Sequence, residues 1–232
     1  MNHATSASIA ALVVAITSGA ATAATVSSDF TLGREGWSVT TFTDNGEPNF
    51  LVPQSTGFLP TFVALGGDPG GFMQISDPDD GWTYFISPDT YHGNQSDKLG
   101  GTLGFSLQHS GGTLIGNPPH AVLKGGGRVL VADAGEPPAL MPNWTRYNIS
   151  MTAGNWRVGT LTGALATEAE LALTLGALDG LFLVAEFVTP VIETNGLDSV
   201  SLTAVPLPAG IWGMLGALSL LGMRGTRRPN RN

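Results

Sequence analysis

Short apolar runs, separated by glycine, proline, asparagine and aspartate, follow one another through the middle of the chain. Several runs alternate apolar and polar positions, and Thr102–His109 is the clearest example. Its residues Leu103, Phe105 and Leu107 fall on one side, which is typical of a strand with one buried face. Many short strands with turns between them favour an all-β sandwich or barrel. The predicted strands are Ser38–Phe42, Phe58–Leu65, Gly71–Ile75, Thr83–Ile86, Thr102–His109, Ala121–Lys124, Arg128–Ala132, Trp144–Met151, Leu181–Val188 and Ser199–Thr203.

One segment predicts a helix instead. Thr167 and Glu170 have the spacing of a capping box, in which the hydroxyl and the carboxylate each accept a first-turn N–H. Leu171, Leu175 and Leu178 then recur at helical intervals, and the nearby glycines are expected to end the helix. We expect this short helix to cover an open end of the sandwich.

The N-terminus has the pattern of an export signal. Ile9–Thr17 is an apolar stretch of suitable length, and Ala21–Ala23 forms an A-x-A cleavage site. The residues before this stretch contain no Lys or Arg, which departs from the usual pattern. We predict a signal peptide over residues 1–23.

The C-terminus contains a second apolar stretch. Leu207–Met223 would span about 25 Å as a helix, which is just enough for a thin bilayer. We therefore predict a transmembrane helix over about 207–223. The arginines beyond it favour a cytoplasmic end and a central domain outside the cytoplasm; they are Arg224, Arg227, Arg228 and Arg231.

Residues 205–232 resemble a PEP-CTERM sorting signal of the VPLPA type, which occurs in Gram-negative bacteria. The resemblance rests on the apolar stretch, the arginine-rich end and a motif of five residues, Val205, Pro206, Leu207, Pro208 and Ala209. It implies processing by an exosortase-type membrane enzyme and delivery to the cell surface or extracellular matrix. The family commonly accompanies exopolysaccharide production. An ordinary C-terminal membrane anchor is the alternative.

Charge is distributed unevenly along the chain. All 18 acidic residues lie between Asp29 and Asp198, whereas only six of the ten basic residues lie before the tail. The central domain therefore carries a net charge of −12, which disfavours nucleic acid as a partner. Surface solvation and attraction of cations both remain as explanations of this charge. The chain contains no cysteine, which excludes disulfides and thiol chemistry.

The central residues 25–204 resemble the laminin B domain, also called laminin domain IV type A, in an exported bacterial form. This resemblance implies a jelly-roll β-sandwich related to galactose-binding modules, and it implies no enzyme. The segments that carry it are Asp29–Phe30, Gly36–Trp37, Gly66–Phe72, Ser76–Asp77, Tyr84–Pro88, Leu99–Leu103, Val122–Gly127, Asn155–Trp156, Thr167–Leu171, Leu181–Phe187 and Gly196–Val200.

Jelly-roll modules of this kind often hold a structural Ca²⁺ where the first strand, an early loop and the last strand converge. Asp29, Asp68 and Asp198 stand at those three places, and Ca²⁺ takes six to eight oxygen ligands. The resemblance therefore implies a calcium site at these residues. The alternative is that all three aspartates form turns or caps.

Other polar and aromatic residues are candidates for metal, catalytic or ligand-binding sites. Asp77–Gly81 lacks EF-hand spacing and is interpreted as a hairpin turn between Met73–Ile75 and Trp82–Ile86. The chain has none of the common hydrolase, metalloprotease, P-loop or dinucleotide motifs. Trp37, Tyr84, Phe85 and Trp156 are expected in the core, whereas Trp82, Tyr91 and Trp144 flank turns and are candidates for exposed rings.

The first functional hypothesis is a non-enzymatic surface or matrix module that binds carbohydrate, with exopolysaccharide as its target. The second is a structural or adhesive protein with a protein partner, in which calcium only stabilises the fold. A glycan-cleaving enzyme is a third hypothesis and requires two carboxylates facing each other across a cleft. The sequence assigns no ligand-binding residue.

Overall fold

The structure is a computed structural model that describes residues 24–44, 48–114, 118–189 and 192–205. The predicted signal peptide, residues 206–232 and the predicted membrane helix over 207–223 lie outside these ranges. In the part of the chain that is described, no helix is both long and apolar enough to cross a membrane.

The described residues form mainly β-strands. In chain order they are β1 (Thr25–Ser28), β2 (Ser38–Asp44), β3 (Pro48–Phe58), β4 (Thr61–Gly67), β5 (Gly70–Ser76), β6 (Trp82–Ile86), β7 (Thr102–His109), β8 (Thr113–Leu114), β9 (Ala121–Gly125), β10 (Arg128–Ala132), β11 (Ala139–Leu140), β12 (Thr145–Ser150), β13 (Arg157–Val158), β14 (Leu178–Val184), β15 (Val188–Thr189) and β16 (Thr194–Thr203). One helix, α1 (Glu168–Gly176), precedes β14, and short 3₁₀ turns cover Asp89–Tyr91, Ser96–Lys98 and Ala153–Asn155.

Most strands belong to two sheets of seven strands each. Sheet A has the order β11-β7-β16-β5-β4, with β12 also paired to β7 and β1 to β16. Sheet B has the order β13-β10-β9-β14-β6-β2-β3, and β8 and β15 form a separate pair. Within the described ranges the pairs are antiparallel except for β11 and β7. The predicted two-sheet sandwich with one short helix is confirmed.

The core is built from the alternation predicted for β7. Leu103, Phe105 and Leu107 are fully buried, and Phe105 stacks on Tyr147 of β12 with ring centroids 5.4 Å apart. Sheet B contributes inward residues that include Phe85, Leu123 and Leu183, all fully buried. Burial of one such side chain stabilises the fold by about 1.5–3 kcal/mol. A chain without disulfides therefore depends on this contact between two apolar faces.

Strand β3 was missed by the sequence prediction because it contains two prolines. Pro48 and Pro53 lack the N–H that a central strand needs, yet β3 is the last strand of sheet B and needs partners on one side only. Its Phe50 is buried against Phe42 and Tyr84. The predicted strand Phe58–Leu65 is divided between the end of β3 and β4.

The interpretation of Asp77–Gly81 as a hairpin turn was wrong. This segment joins β5 of sheet A to β6 of sheet B, so it crosses between the sheets. Its carboxylates fix the crossing: Asp77 accepts the Thr83 hydroxyl at 3.0 Å, and Asp79 accepts the Thr41 hydroxyl at 3.0 Å. Aspartate here secures the chain connection between two layers.

The predicted helix and its capping box are confirmed. The Glu170 N–H donates to the Thr167 hydroxyl at 3.2 Å, and the Thr167 N–H donates to the Glu170 carboxylate at 2.8 Å. Leu171 and Leu175 are fully buried where the helix packs against β9 and β10. Leu178, which was expected in the helix, begins β14.

A cluster of polar side chains is enclosed at one end of the sandwich, beside β7 and β16. Glu193 and Asn195 are fully buried and His109 is nearly so. Glu193 accepts the Phe187 N–H through Oε1, while its Oε2 lies 3.8 Å from Nδ1 of His109. Burial raises the pKa of Glu193 to about 7, with the nearby negative charge of Asp77 adding to the effect. Burial lowers the pKa of His109, so two neutral groups are favoured over an ion pair near neutral pH.

Replacing the Thr167 cap tests the helix contribution. We expect Thr167→Ala to lower the free energy of unfolding by about 1 kcal/mol, since a first-turn N–H loses its acceptor. Chemical denaturation monitored by circular dichroism measures the change. Thr167→Ser keeps the hydroxyl and serves as the control. Equal losses for the two variants would contradict the capping role.

The pH dependence of stability tests the buried Glu193. Because its folded-state pKa lies above the ordinary value of 4.5, the folded protein holds this proton more tightly than the unfolded chain. Its contribution is therefore full below about pH 4.5 and is lost as the pH rises through 7. We expect the unfolding free energy of the wild type relative to Glu193→Gln to rise by about 2 kcal/mol between pH 8 and pH 5.

Urea denaturation of both proteins at several pH values measures this difference. Comparing the two proteins cancels the opposite contribution of His120, whose pKa is lowered by burial, and His109→Gln in both backgrounds removes the contribution of the neighbouring imidazole. A difference that stays constant with pH would show that Glu193 titrates normally.

Candidate functional site

Sheet A has a second face that is polar. In β7 this face is formed by the residues that alternate with the core residues Leu103, Phe105 and Leu107. Ser106 of β7 lies between Arg146 of β12 and Asp198 of β16. Asn148 and Gly104 form a neighbouring row, as do Gln108 and Gly196. We call this surface the polar face; it comprises Phe72, Gln74, Gly104, Ser106, Gln108, Trp144, Arg146, Asn148, Gly196, Asp198 and Ser201.

Trp144 extends across the polar face from the start of β12. Its indole N–H donates to the carbonyl of Gly66 in β4 at 2.9 Å, and its ring meets Phe72 edge-on at 5.2 Å between centroids. A Cβ at Gly196 would lie 3.0 Å from the indole, so glycine allows the ring to approach the sheet. The side chain remains partly exposed. A fixed aromatic ring is therefore accessible on an otherwise polar sheet.

Gln108 lies next to this ring. A Cβ at Gly196 would meet Gln108 Cγ at 2.8 Å and Nε2 at 2.9 Å, on the same side as the indole. Gln108 is 3% exposed, and its Oε1 has no hydrogen-bond partner among the described residues. A buried acceptor without a donor costs about 1–3 kcal/mol. The acceptor is enclosed beside the indole, so a ligand group reaches it only when one of these two side chains moves.

The carboxylates of Asp68 and Asp198 meet at the other side of the polar face. Asp198 accepts the N–H of Asp68 through Oδ2 and the N–H of Ser199 at 2.6 Å through Oδ1. Asp68 in turn accepts the hydroxyl of Ser106 at 2.8 Å, and its carbonyl accepts the hydroxyl of Ser199 at 2.5 Å. The hairpin between β4 and β5 is thus tied to β16 at two points.

Unusual backbone conformations surround this carboxylate pair. β16 has a register shift after Asp198, and Ser199 has a φ of 52°, in the left-handed region that non-glycine residues rarely adopt. Phe30, next to Asp29, has a φ of 48°. A Cβ at Gly67 would lie 2.6 Å from Asp198 Oδ2, so this position requires glycine. The carboxylates occupy a site with closely constrained backbone.

The carboxyl of Asp198 is enclosed beside other negative charges. Asp198 is fully buried, and burial raises the pKa of its carboxyl to about 6, with the charges of Asp68 and Asp29 adding to the effect. Among the described residues, Asp198 forms no ion pair with Lys, Arg or His. Asp29 is exposed, and its carboxylate accepts the Thr31 N–H at 3.0 Å.

The structure brings together two of the three aspartates that the sequence analysis named. Asp68 and Asp198 are in contact through a hydrogen bond. Asp29 acts on them at longer range, since its charge raises the pKa of Asp198. In the described ranges, no three Asp, Glu, His or Cys side chains are placed to hold a metal ion. A hard cation at this place would therefore need backbone carbonyls or water among its ligands, which Ca²⁺ accepts.

The indole site and the carboxylate site share one chain segment. The carbonyl of Gly66 holds the indole N–H of Trp144, and two residues later the N–H of Asp68 is held by Asp198. The two sites are thus joined by Gly66–Asp68, and any shift of this segment affects both.

The remaining aromatic predictions divide into two groups. The four rings expected in the core are buried there: Trp37, Tyr84, Phe85 and Trp156. Of the three candidates for exposure, Trp82 and Tyr91 are buried as well, and the Tyr91 hydroxyl donates to Ser28 at 3.2 Å. Only Trp144 of these three keeps an accessible ring. The sequence analysis did not identify Gln108, Arg146 or Asn148, although the alternation in β7 had already placed Gln108 opposite the core.

A separate concavity of about 440 Å³ lies on sheet B between the start of β3 and the turn after β9. Phe50, Leu51, Arg128 and Val158 contribute to its lining, which is mostly apolar. It contains no feature comparable to the fixed indole of Trp144.

Comparisons with known proteins bear on the fold and the family. The laminin B (domain IV) family matches residues 84–210, which is more than half of the chain. The structure is similar to the L4b domain of human laminin alpha-2, with a TM-score of 0.60 and 15% identity over 79% of this chain and 98% of that chain.

A weaker likeness, with a TM-score of 0.41 and 15% identity, relates 81% of this chain to 90% of the family 11 carbohydrate-binding module of the cellulosomal cellulase Lic26A-Cel5E of Clostridium thermocellum. No curated protein sequence matches the chain. The family match and the shared two-sheet fold agree with each other and with the motifs found in the sequence. The chain belongs to the laminin B (domain IV) family.

Proposed function

We propose that this protein is a non-enzymatic extracellular module that binds carbohydrate, with exopolysaccharide as its target. The observation that carries the proposal is Trp144, an indole fixed across the polar face beside the unpaired acceptor of Gln108. A ring fixed by its own N–H loses little conformational entropy on binding. Its exposed part can pack against the C–H groups of a sugar, while neighbouring amide groups bind hydroxyls.

The absence of catalysis is part of this proposal. Cleavage of a glycosidic bond needs two carboxylates that face each other across the substrate, about 5–10 Å apart. Asp68 and Asp198 on the polar face are instead engaged with backbone N–H groups and hydroxyls. This arrangement supports a structural role for them.

We further propose that Asp68 and Asp198 hold a Ca²⁺ ion, with Asp29 nearby. The fully buried and raised-pKa carboxyl of Asp198 supports this, because a cation would compensate the repulsion among the three carboxylates. Bound calcium would supply positive charge that fixes the β4–β5 hairpin against β16. The chain's own contribution is the constrained backbone of Gly67 and Ser199.

Export and sorting complete the proposal. The signal-peptide pattern over residues 1–23 supports export, and membership of a family that includes laminin modules agrees with it. The VPLPA-type tail supports processing by an exosortase-type enzyme, transient membrane anchoring through about 207–223, and release to the surface of a Gram-negative cell. These steps would place the polar face in contact with extracellular polysaccharide.

Removal of the indole tests the carbohydrate proposal. We expect the purified protein to bind the polysaccharide of its own organism, and Trp144→Ala to weaken that binding about tenfold or more, which corresponds to about 1.4 kcal/mol. Isothermal titration or retention on immobilised polysaccharide measures the loss. Leu65→Ala, which removes an exposed apolar side chain next to Gly66, is the matched control and should bind normally.

Two outcomes would contradict the proposal. The first is wild-type protein that no polysaccharide retains at millimolar sugar, combined with capture of a protein partner that sugars do not displace. The second is binding that survives Trp144→Ala but is lost in Leu51→Ala, which would move the site to the concavity on sheet B.

Calcium titration tests the proposed cation. We expect Ca²⁺ at 100 times its dissociation constant to raise the unfolding free energy by about 2.7 kcal/mol. Asp198→Asn should abolish this increment, because it removes the buried negative charge. Asp179→Asn makes the same change at an exposed position of β14 and should leave the increment intact. The proposal is wrong if the wild type gains nothing from Ca²⁺ or if both variants respond equally.

A further inference from the structure

We infer that the ligand is an uncharged polysaccharide that crosses the polar face, with one sugar ring on the Trp144 indole above β16 and neighbouring sugars on Arg146 and Asn148 of β12. This inference rests on the proposed carbohydrate-binding function and specifies the ligand class and its direction on the polar face. It follows from the row that these residues form, from their hydrogen-bonding groups and from the charge around them.

The row follows from strand geometry. Residues two apart on a strand point to the same face, so Arg146 and Asn148 form a row with the backbone of Trp144, from which the indole extends over Gly196 of β16. The row is about 13 Å long from residue 144 to residue 148, which suits a short stretch of a sugar chain. Arg146 and Asn148 are exposed, and β12 pairs with β7 alone among the described strands.

The hydrogen-bonding groups along the row are complementary to hydroxyls. Arg146 supplies several donors in a planar group, and the exposed amide of Asn148 supplies both donors and an acceptor. At the other end, a Cβ on Gly104 would lie 3.0 Å from Ser201 Oγ and 3.3 Å from Asn148 Oδ1. Two oxygens therefore converge above a glycine. Hydroxyls both donate and accept, so a sugar can satisfy donors and acceptors along the whole row.

The surrounding charge selects against acidic polymers. Arg146 is the one basic residue in the strands of sheet A as described, and it lies in the same row as Asp198 across Ser106. Asp29, Asp68 and Asp198 outnumber it, and even a bound Ca²⁺ would only bring this region to neutrality. The central domain as a whole carries a charge of −12. A polyanion is repelled at long range and finds no excess of positive charge at the face.

The experiment compares polymers that differ in charge. Binding of the purified protein to a soluble neutral β-glucan, a neutral galactomannan and a polyuronate is measured by isothermal titration, with and without Ca²⁺. We expect at least one neutral polymer to bind and the polyuronate to bind at least about tenfold more weakly. Binding should change little when salt is raised from about 0.05 M to about 0.5 M, since ion pairing is not its basis.

Variants along the row test the direction of the chain. We expect Arg146→Ala and Asn148→Ala each to weaken binding of the neutral polymer about two- to tenfold, as for loss of one or two hydrogen bonds. Arg34→Ala removes the same charge from an exposed loop and should bind normally. A short oligosaccharide should be less sensitive to Asn148→Ala than the polymer, because it need not reach the end of the row.

Each outcome separates this inference from the proposed function. Tighter binding of the polyuronate, or binding abolished by salt, overturns the uncharged ligand while leaving carbohydrate binding intact. Loss of binding in Trp144→Ala with no effect of Arg146→Ala or Asn148→Ala overturns the row. Failure of both neutral polymers to bind, while the organism's own polysaccharide binds, overturns this inference; failure of that polysaccharide as well overturns the proposed function itself.

Discussion

The pairing of β7 between β12 and β16 determines most of this structure. Because side chains alternate along a strand, one side of β7 places Leu103, Phe105 and Leu107 in the core. The other side must then carry Ser106 and Gln108 outward to the polar face. A shift of one residue in this register would exchange the two faces, burying polar groups and exposing the apolar ones. The core and the candidate site therefore depend on the same pairing.

Buried carboxylates are the second constraint. Asp198 and Glu193 lie on the two opposite faces of sheet A, both fully buried and both with raised pKa values. They differ in what surrounds them. Glu193 faces an imidazole and an amide, which suits a neutral, protonated carboxyl near pH 7. Asp198 lies beside two further carboxylates, which disfavour its charge, and receives two backbone N–H groups, which favour it.

The segment Gly66–Asp68 positions both parts of the polar face. Its first carbonyl holds the indole of Trp144 and its last N–H binds Asp198, so the aromatic ring and the carboxylate pair are positioned by three consecutive residues. Gly67 between them cannot carry a side chain, because Asp198 occupies the space. The polar face is in this way supported by one short hairpin.

The alternation of residues and the turn glycines were sufficient to predict an all-β sandwich or barrel, and the family resemblance narrowed this to a sandwich. The spacing of Thr167 and Glu170 was sufficient to predict the capped helix, because such patterns act over a few residues. Asp68 and Asp198 are 130 positions apart, so their spacing contains no information on their contact. The family resemblance suggested that the two residues lie close together. The pairing of β5 with β16 brings them into contact. Tertiary structure alone decided that proline-rich β3 is an edge strand, that Asp77–Gly81 crosses between sheets, and that Trp144 rather than Trp82 stays accessible. Burial depends on which strands become neighbours, and pairing between distant segments is set by the packing of the whole domain.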